Sequence, residues 1–442
     1  MKKKWMVALV ALMCSVVVSL TAWATAPEDV VVSLQIDNPW MQVNGETEEI
    51  DPGRGTSPLV TDGRTLVPIR AIIEAFGGTV GWDGDTQTVS LAMEGDIVTL
   101  VIDSHTAYRN KDAHTLDVAP AVMNDRTMLP IRFVAESFDL GVAWDGGTNT
   151  VWVLRNGMDA EEYDYLMREV PAYSGAAWVE MNGNVPMFDP YEVIPASFEY
   201  YSAQDGMGRC DVCMASVAED IMPTGERESI SSVTPTGWIN AKYDVVAGGY
   251  LYNRCHLIGY QLTGENANPR NLITGTRHLN IEGMLPFENQ VDDYIERTGN
   301  HVMYRVTPLF IGNNQVANGV LMEGYSVEDN GRGVSFCVYC YNVQPGIAID
   351  YTTGASSLEG VTEQTDWSDN QEGAYGDWQG GTAQTDWYDD AGNEPDVQSS
   401  GIYRTPTGKR YHLDPDCGGK NSYPVTLDEA LGAGLTPCKK CA

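Results

Sequence analysis

Tyr250-Leu-Tyr-Asn-Arg-Cys-His-Leu-Ile258, followed by Asn271-Leu-Ile-Thr-Gly-Thr-Arg-His-Leu-Asn280 and by Glu288, is the most informative stretch of the chain. The first segment sets the apolar and aromatic residues of a strand around Arg254 and His256. Side chains alternate along a strand, so Arg254 and His256 share one face and Cys255 takes the other. Cys255 and His256 therefore do not form a side-by-side nucleophile pair. Further on, Pro286 suits the first position of a helix. Phe287, Val291, Tyr294 and Ile295 give it an apolar stripe, and Gly299 ends it. Glu288 then lies in the first turn, pointing back toward a loop that carries Asn280.

Phosphodiester hydrolysis needs a base for water, a cation against the charge growing on phosphate, and a group that holds the phosphate in line. Histidine suits the first task near neutral pH. A hard cation accepts a neutral amide oxygen and keeps several waters, which a carboxylate can hold. Arginine grips phosphate oxygens. His256, Asn280, Glu288 and Arg254 supply that set. Singly, each has an ordinary structural reading: a strand histidine, loop asparagines making turns, a first-turn acid, a surface arginine. Their joint occurrence points to a site, whereas His278 and His301 read as structural.

Asn253-Arg-Cys-His256 with Asn271, Asn280 and Glu288 at these spacings resembles the DNA/RNA non-specific endonucleases, ββα-metal nucleases with the signature Asp-Arg-Gly-His. The subgroup it is most similar to is the DNA-entry or streptococcal-type nuclease. The similarity runs over about residues 170–353 and includes Pro235-Thr-Gly-Trp238, His301-Val-Met-Tyr-Arg-Val-Thr-Pro308 and Tyr341-Asn-Val-Gln-Pro-Gly346. The resemblance implies an α+β fold and cleavage of DNA and RNA to 5′-phosphate products. It implies Mg²⁺ as cofactor, with Mn²⁺ as a substitute. It makes His256 the general base, Asn280 the direct Mg²⁺ ligand and Glu288 the holder of metal-bound water. Asn271 would orient the site and Arg254 would contact phosphate. Asn253 and Cys255 replace the signature's Asp and Gly, positions that do not carry the chemistry. The alternative reading is a surface nucleic-acid-binding or DNA-uptake component with weak or no cleavage.

The chain of 442 residues has a formal net charge of -34, which taken alone opposes nucleic-acid binding. The distribution softens this. Residues 355–400 carry 11 acids and no Lys or Arg, whereas 242–280 has Lys242, Arg254, Arg270 and Arg277 against Asp244 and Glu265. The expectation is weak, salt-sensitive binding. Lys2, Lys3 and Lys4 precede an apolar run to about Leu20, and Ala22-Trp-Ala24 gives a cleavage pattern. Residues 1–24 thus read as a signal peptide of a secreted or cell-surface protein, with an uncleaved membrane anchor as the second reading.

Ahead of the nuclease-like region lies a repeat. Arg64-Thr-Leu-Val-Pro-Ile-Arg70 recurs as Arg126-Thr-Met-Leu-Pro-Ile-Arg132, and Trp82-Asp-Gly84 as Trp144-Asp-Gly146. Each copy reads as a short helix (70–76, 132–138), a strand, an Asp-Gly turn that accepts positive φ, and a second strand (87–92, 149–154). Residues 30–155 resemble the copper amine oxidase N-terminal-like domain of exported bacterial proteins. His105 and His114 are its only histidines, too few for a copper cluster. A module or spacer for a cell-wall or surface ligand is the expectation, and an amine oxidase is poorly supported.

Residues 355–400 read as a self-repelling acidic linker. Residues 401–442 read as a small Cys/His module. There His412, Cys417, Cys438 and Cys441 would make a Cys₃His zinc site, with a disulfide from Cys417 to Cys438 or Cys441 as the competing reading. Cys210-x-x-Cys213 and Cys337-x-x-Cys340 leave zinc, a disulfide or free thiols open, with the last two favoured. Nothing in the sequence sets an oligomeric state.

Overall fold

The computed structural model describes residues 29–157, 160–225 and 227–359, with short pieces of the C-terminal segment between 402 and 438. The signal-like residues 1–24 lie outside the described residues, as do 360–400 of the acidic stretch. No helix among the described residues is long and apolar enough to cross a membrane. The chain divides into two compact units at Phe138/Asp139, so the boundary falls inside the 30–155 stretch.

In the first unit the repeated motifs meet each other. Arg64–Pro68 and Arg126–Pro130 are strands paired antiparallel, with Leu129 opposite Val67. Each runs directly into a short helix, Ile69–Ala75 or Ile131–Ser137, where the proline stands just before the first turn. Leu66, Val67, Met128 and Leu129 are buried at this seam. The hairpin Thr79–Asp83/Thr88–Met93 follows the first helix. Its turn departs from the Asp-Gly expectation. The left-handed residue is Gln87, φ 52°, and Asp83 acts instead as an acceptor for the Asp85 and Thr86 amides. The second copy's turn, in the other unit, repeats this with Asn149 at φ 56° and Asp145 accepting from the Gly147 amide. An Asp side chain closing the loop wins over a strained Asp backbone.

The second unit is built on a six-stranded antiparallel sheet and a hairpin. The strands are β1 (Trp178–Glu180), β2 (Phe198–Tyr201), β3 (Cys213–Val217), β4 (Tyr252–His256), β5 (Leu272–Thr276), β6 (Val302–Leu309), β7 (Gly319–Ser326) and β8 (Ser335–Tyr341). The sheet order is β1-β8-β7-β6-β3-β2, and β4 pairs with β5 apart from it. Helix α1 (Leu285–Thr298) has Pro286 in its first turn and ends at Gly299, φ 68°. Its stripe of Phe287, Val291, Tyr294 and Ile295 packs with Val302, Tyr304, Val306, Met322, Phe336, Val338 and Cys340 of the sheet. Period-2 alternation sends Arg305 and Cys337 to the opposite face. There Arg305 is buried between Glu323 (2.7 Å) and Glu192 (3.2 Å).

Asn280 does not sit in a loop, as the sequence suggests. Residues Leu279–Met284 form a π-helical turn that continues into α1. β4, β5 and α1 thus make one ββα unit, and the mixed α+β class of the chain follows. Ser356–Leu358, at the start of the acidic stretch, pairs with Ile347–Ile349. In the tail, strands Ile402–Arg404, Arg410–His412, Tyr423–Val425 and Thr436–Pro437 form a small sheet. Cys438 is buried, but the His412 side chain, Cys417 and Cys441 lie outside the described residues, and with them the zinc reading.

Candidate active site

β4 carries His256 to the wall of a pocket, and its pairing with β5 fixes the register, with Arg254 opposite Thr274 and His256 opposite Leu272. The pocket is lined by Arg227, Asn253, Arg254, His256, Gly259, Asn280 and Glu288, with apolar walls of Ile230, Ile281 and Leu285. The hairpin, the π-helical turn and α1 thus bring together four of the five expected residues.

His256 is only 7% exposed. Its Nε2 lies 2.8 Å from the Asn266 carbonyl oxygen. A carbonyl only accepts, so Nε2 carries the proton and donates. Arg227 Nη2 donates to Nδ1 at 3.3 Å, so Nδ1 is the nitrogen with the lone pair, and it faces a cation. Burial first, then the Arg227 charge, drop the His256 pKa to about 4. The imidazole is neutral at pH 7.

Glu288, also 7% exposed, enters from the first turn of α1. Burial pushes its carboxyl up to about 8, against an opposing pull from Arg227. Gly259 is its platform. A Cβ there would lie 3.0–3.1 Å from the carboxyl group, so a side chain at 259 would crowd Glu288. Asn253 Oδ1 is buried with no hydrogen-bond partner. Asn280 Oδ1 accepts from the Cys255 thiol at 3.1 Å. Three oxygen-bearing side chains therefore border one small space beside two guanidinium groups.

Asn271 stands apart from the pocket, fully buried. Its Oδ1 accepts from the Ile258 amide (2.8 Å) and its Nδ2 donates to the Ile258 carbonyl (3.0 Å). It clamps the backbone just after His256. Arg254 lines the pocket with its guanidinium anchored. Nε donates to Val233 O at 2.5 Å and Nη2 to Ser231 O at 3.2 Å, and the group stacks 4.5 Å over Trp238.

Sequence reasoning misses Arg227, the guanidinium that touches the base. It lies in irregular chain, outside the 242–280 segment, and its charge is the only signal the sequence offers for it. It also sets aside Asn253 and Cys255, yet one lines the pocket and the other touches Asn280. Cys255 does turn into the core as alternation predicts. Of the remaining cysteines, the Cys210 thiol reaches the Pro269 and Leu272 carbonyls, and Cys213 that of Arg270. Cys337 and Cys340 occupy opposite faces of the sheet, and these four are thiols rather than disulfides.

A family model described as DNA/RNA non-specific endonuclease matches residues 191–328, and one described as copper amine oxidase N-terminal domain matches 42–153. Among solved structures, NucA from Streptococcus agalactiae with magnesium ion bound is 23% identical, covers 45% of this chain and 97% of that chain, and has a TM-score of 0.39. Sda1 nuclease with bound zinc ion is 24% identical over 41% of this chain and 96% of that one, with a TM-score of 0.36. Residues 191–328 are a domain of the DNA/RNA non-specific endonuclease family, and the chain is a nuclease hydrolase with a copper amine oxidase N-terminal domain ahead of it.

Proposed function

We propose that this protein is an exported, Mg²⁺-dependent endonuclease that hydrolyses phosphodiester bonds of both DNA and RNA, with His256 as general base. One observation carries the mechanism: Nδ1 of His256 opens toward Arg227 in the pocket that also holds Asn280 and Glu288. Export rests on Lys2 to Lys4 and the apolar run behind them.

The donor set fits a hard divalent cation. Among the described residues no group of three His, Cys, Asp or Glu side chains is placed to hold a metal. What the pocket offers is oxygen: Asn280 Oδ1, the buried and unpartnered Asn253 Oδ1, and the Glu288 carboxyl in its Gly259 cradle. Asn280 would hold the cation, with Glu288 and Asn253 beside it. The cation supplies positive charge against the charge that develops on the phosphate in the transition state.

The chain's own residues do the rest. His256 Nδ1 takes a proton from the attacking water. The Asn266 carbonyl holds the ring through Nε2 and stabilises the imidazolium that forms. Arg227 grips a phosphate oxygen next to that base. Before substrate binds, burial and, after it, the Arg227 charge keep the imidazole unprotonated. A phosphate seated against Arg227 offsets this charge and raises the basicity of Nδ1 when the proton must move. Asn271 keeps the backbone after His256 in place, and Arg254 braces the pocket wall.

The test is digestion of plasmid DNA and of structured RNA with Mg²⁺ or with EDTA. Wild type should cut both substrates only with the cation. His256→Ala should lose about 10²-fold or more of the rate. A wild type that binds nucleic acid without cutting overturns the hydrolytic reading. Equal cutting by His256→Ala overturns the mechanism.

A further inference from the structure

We infer that Cys255 is a positioning residue that aims the side-chain oxygen of Asn280 at the cation. This rests on Asn280 being the metal ligand, as proposed above. A side-chain amide has two ends of nearly equal shape, but only the oxygen can face a cation. Its direction must come from neighbours, as it does for most metal-binding side chains. Cys255 Sγ lies 3.1 Å from Asn280 Oδ1 and donates its proton there. The thiol's other sulfur and oxygen neighbours, Met284 Sδ at 3.5 Å and His256 O at 3.8 Å, are farther. One lone pair of Oδ1 is thereby used by the thiol, leaving the second for the pocket. A flipped amide would forfeit this bond and turn its NH₂ group toward the cation.

The surroundings are built to admit the thiol. Across the hairpin, a Cβ on Gly275 would fall 2.5 Å from the Cys255 Cβ, so only glycine leaves room there. Asn280 itself rides on a π-helical turn, a geometry that opens the helix and concentrates at functional sites. The contact joins the strand that carries His256 to the turn that carries the ligand.

Cys255→Val removes the donor while keeping the site apolar, whereas Cys255→Ser keeps a donor. Each full-length variant is titrated with Mg²⁺ or Mn²⁺ alone, following thermal unfolding, and cleavage is measured against cation concentration. Cys255→Val should need about 10-fold more cation for half-saturation in both readouts. Its rate at saturating cation should stay close to wild type, and Cys255→Ser should recover most of the affinity. An unchanged midpoint in Cys255→Val overturns the inference even if its melting temperature falls, since packing alone would give that result. A serine variant as weak as valine overturns it too. Asn280→Ala separates the two levels. If it keeps the wild-type midpoint, the ligand assignment itself fails. If it loses the cation while Cys255→Val does not, only the positioning role fails.

Discussion

Replacing Glu288 by glutamine should reverse how the nuclease unit responds to pH. In the fold this carboxyl stays protonated up to about pH 8, against the ordinary value of 4.5, because burial disfavours its charge. The unfolded chain ionises it near 4.5. A folded pKa above the unfolded one means a contribution fully present below pH 4.5 and lost as pH rises toward 8. At roughly 1.4 kcal/mol per pH unit, the metal-free protein gives up roughly 3 kcal/mol between pH 4.5 and 7 through this one group. Glu288→Gln has nothing to titrate. His256 works in the other sense. Its folded pKa of about 4 lies below the ordinary 6.5, so its contribution is complete above 6.5 and fades as pH falls toward 4. That effect is common to both proteins and cancels in their difference. Urea unfolding in EDTA at several pH values between 5 and 8 measures it. Trp178, edge-on to Phe287 at 5.0 Å beside Glu288, lies where the emission change should originate. The variant's advantage over wild type should grow steadily with pH, and excess Mg²⁺ should stabilise wild type far more than the variant near pH 8. A difference that stays flat across this range refutes the buried-acid account.

Arg227→Ala should slow cleavage by about 10²-fold through loss of the phosphate grip. It should also move the acid limb of the pH–rate profile upward, because the charge that suppresses His256 protonation is gone; an unmoved limb contradicts the coupling. Asn271→Ala should cost about 2–3 kcal/mol in urea unfolding, since both backbone groups of Ile258 lose their partner in a buried place. A loss of activity without loss of stability would instead put Asn271 in the chemistry. For the tail, metal analysis of the purified chain should find zinc that disappears in Cys417→Ser and Cys438→Ser; wild type without zinc favours the disulfide.

The elements around the site were legible because period and punctuation are local properties. Alternation placed Cys255 opposite to His256, and Pro286 and Gly299 bracketed the helix within a residue. What stayed hidden depends on contacts between distant segments. Arg227 reaches His256 from an irregular stretch with no periodicity to announce it. The thiol contact to Asn280 follows from the π-helical turn, which residue spacing on an ideal helix does not foretell. Asp83 and Asp145 illustrate a subtler failure. A turn does join the two strands, but the carboxylate acts through its side chain while Gln87 and Asn149 take the left-handed backbone angle.

The antiparallel seam between Arg64–Pro68 and Arg126–Pro130 has a bearing on how the protein can be dissected. Each copy of the motif supplies the neighbour that the other's backbone needs. The two seam strands therefore belong to one folding unit rather than to two beads on a string. A chain cut between them would leave Val67 or Leu129 on an open strand edge, the kind of surface that recruits another chain. Fragments carrying a single copy should self-associate through that edge, restoring between molecules the pairing that the intact protein makes within one.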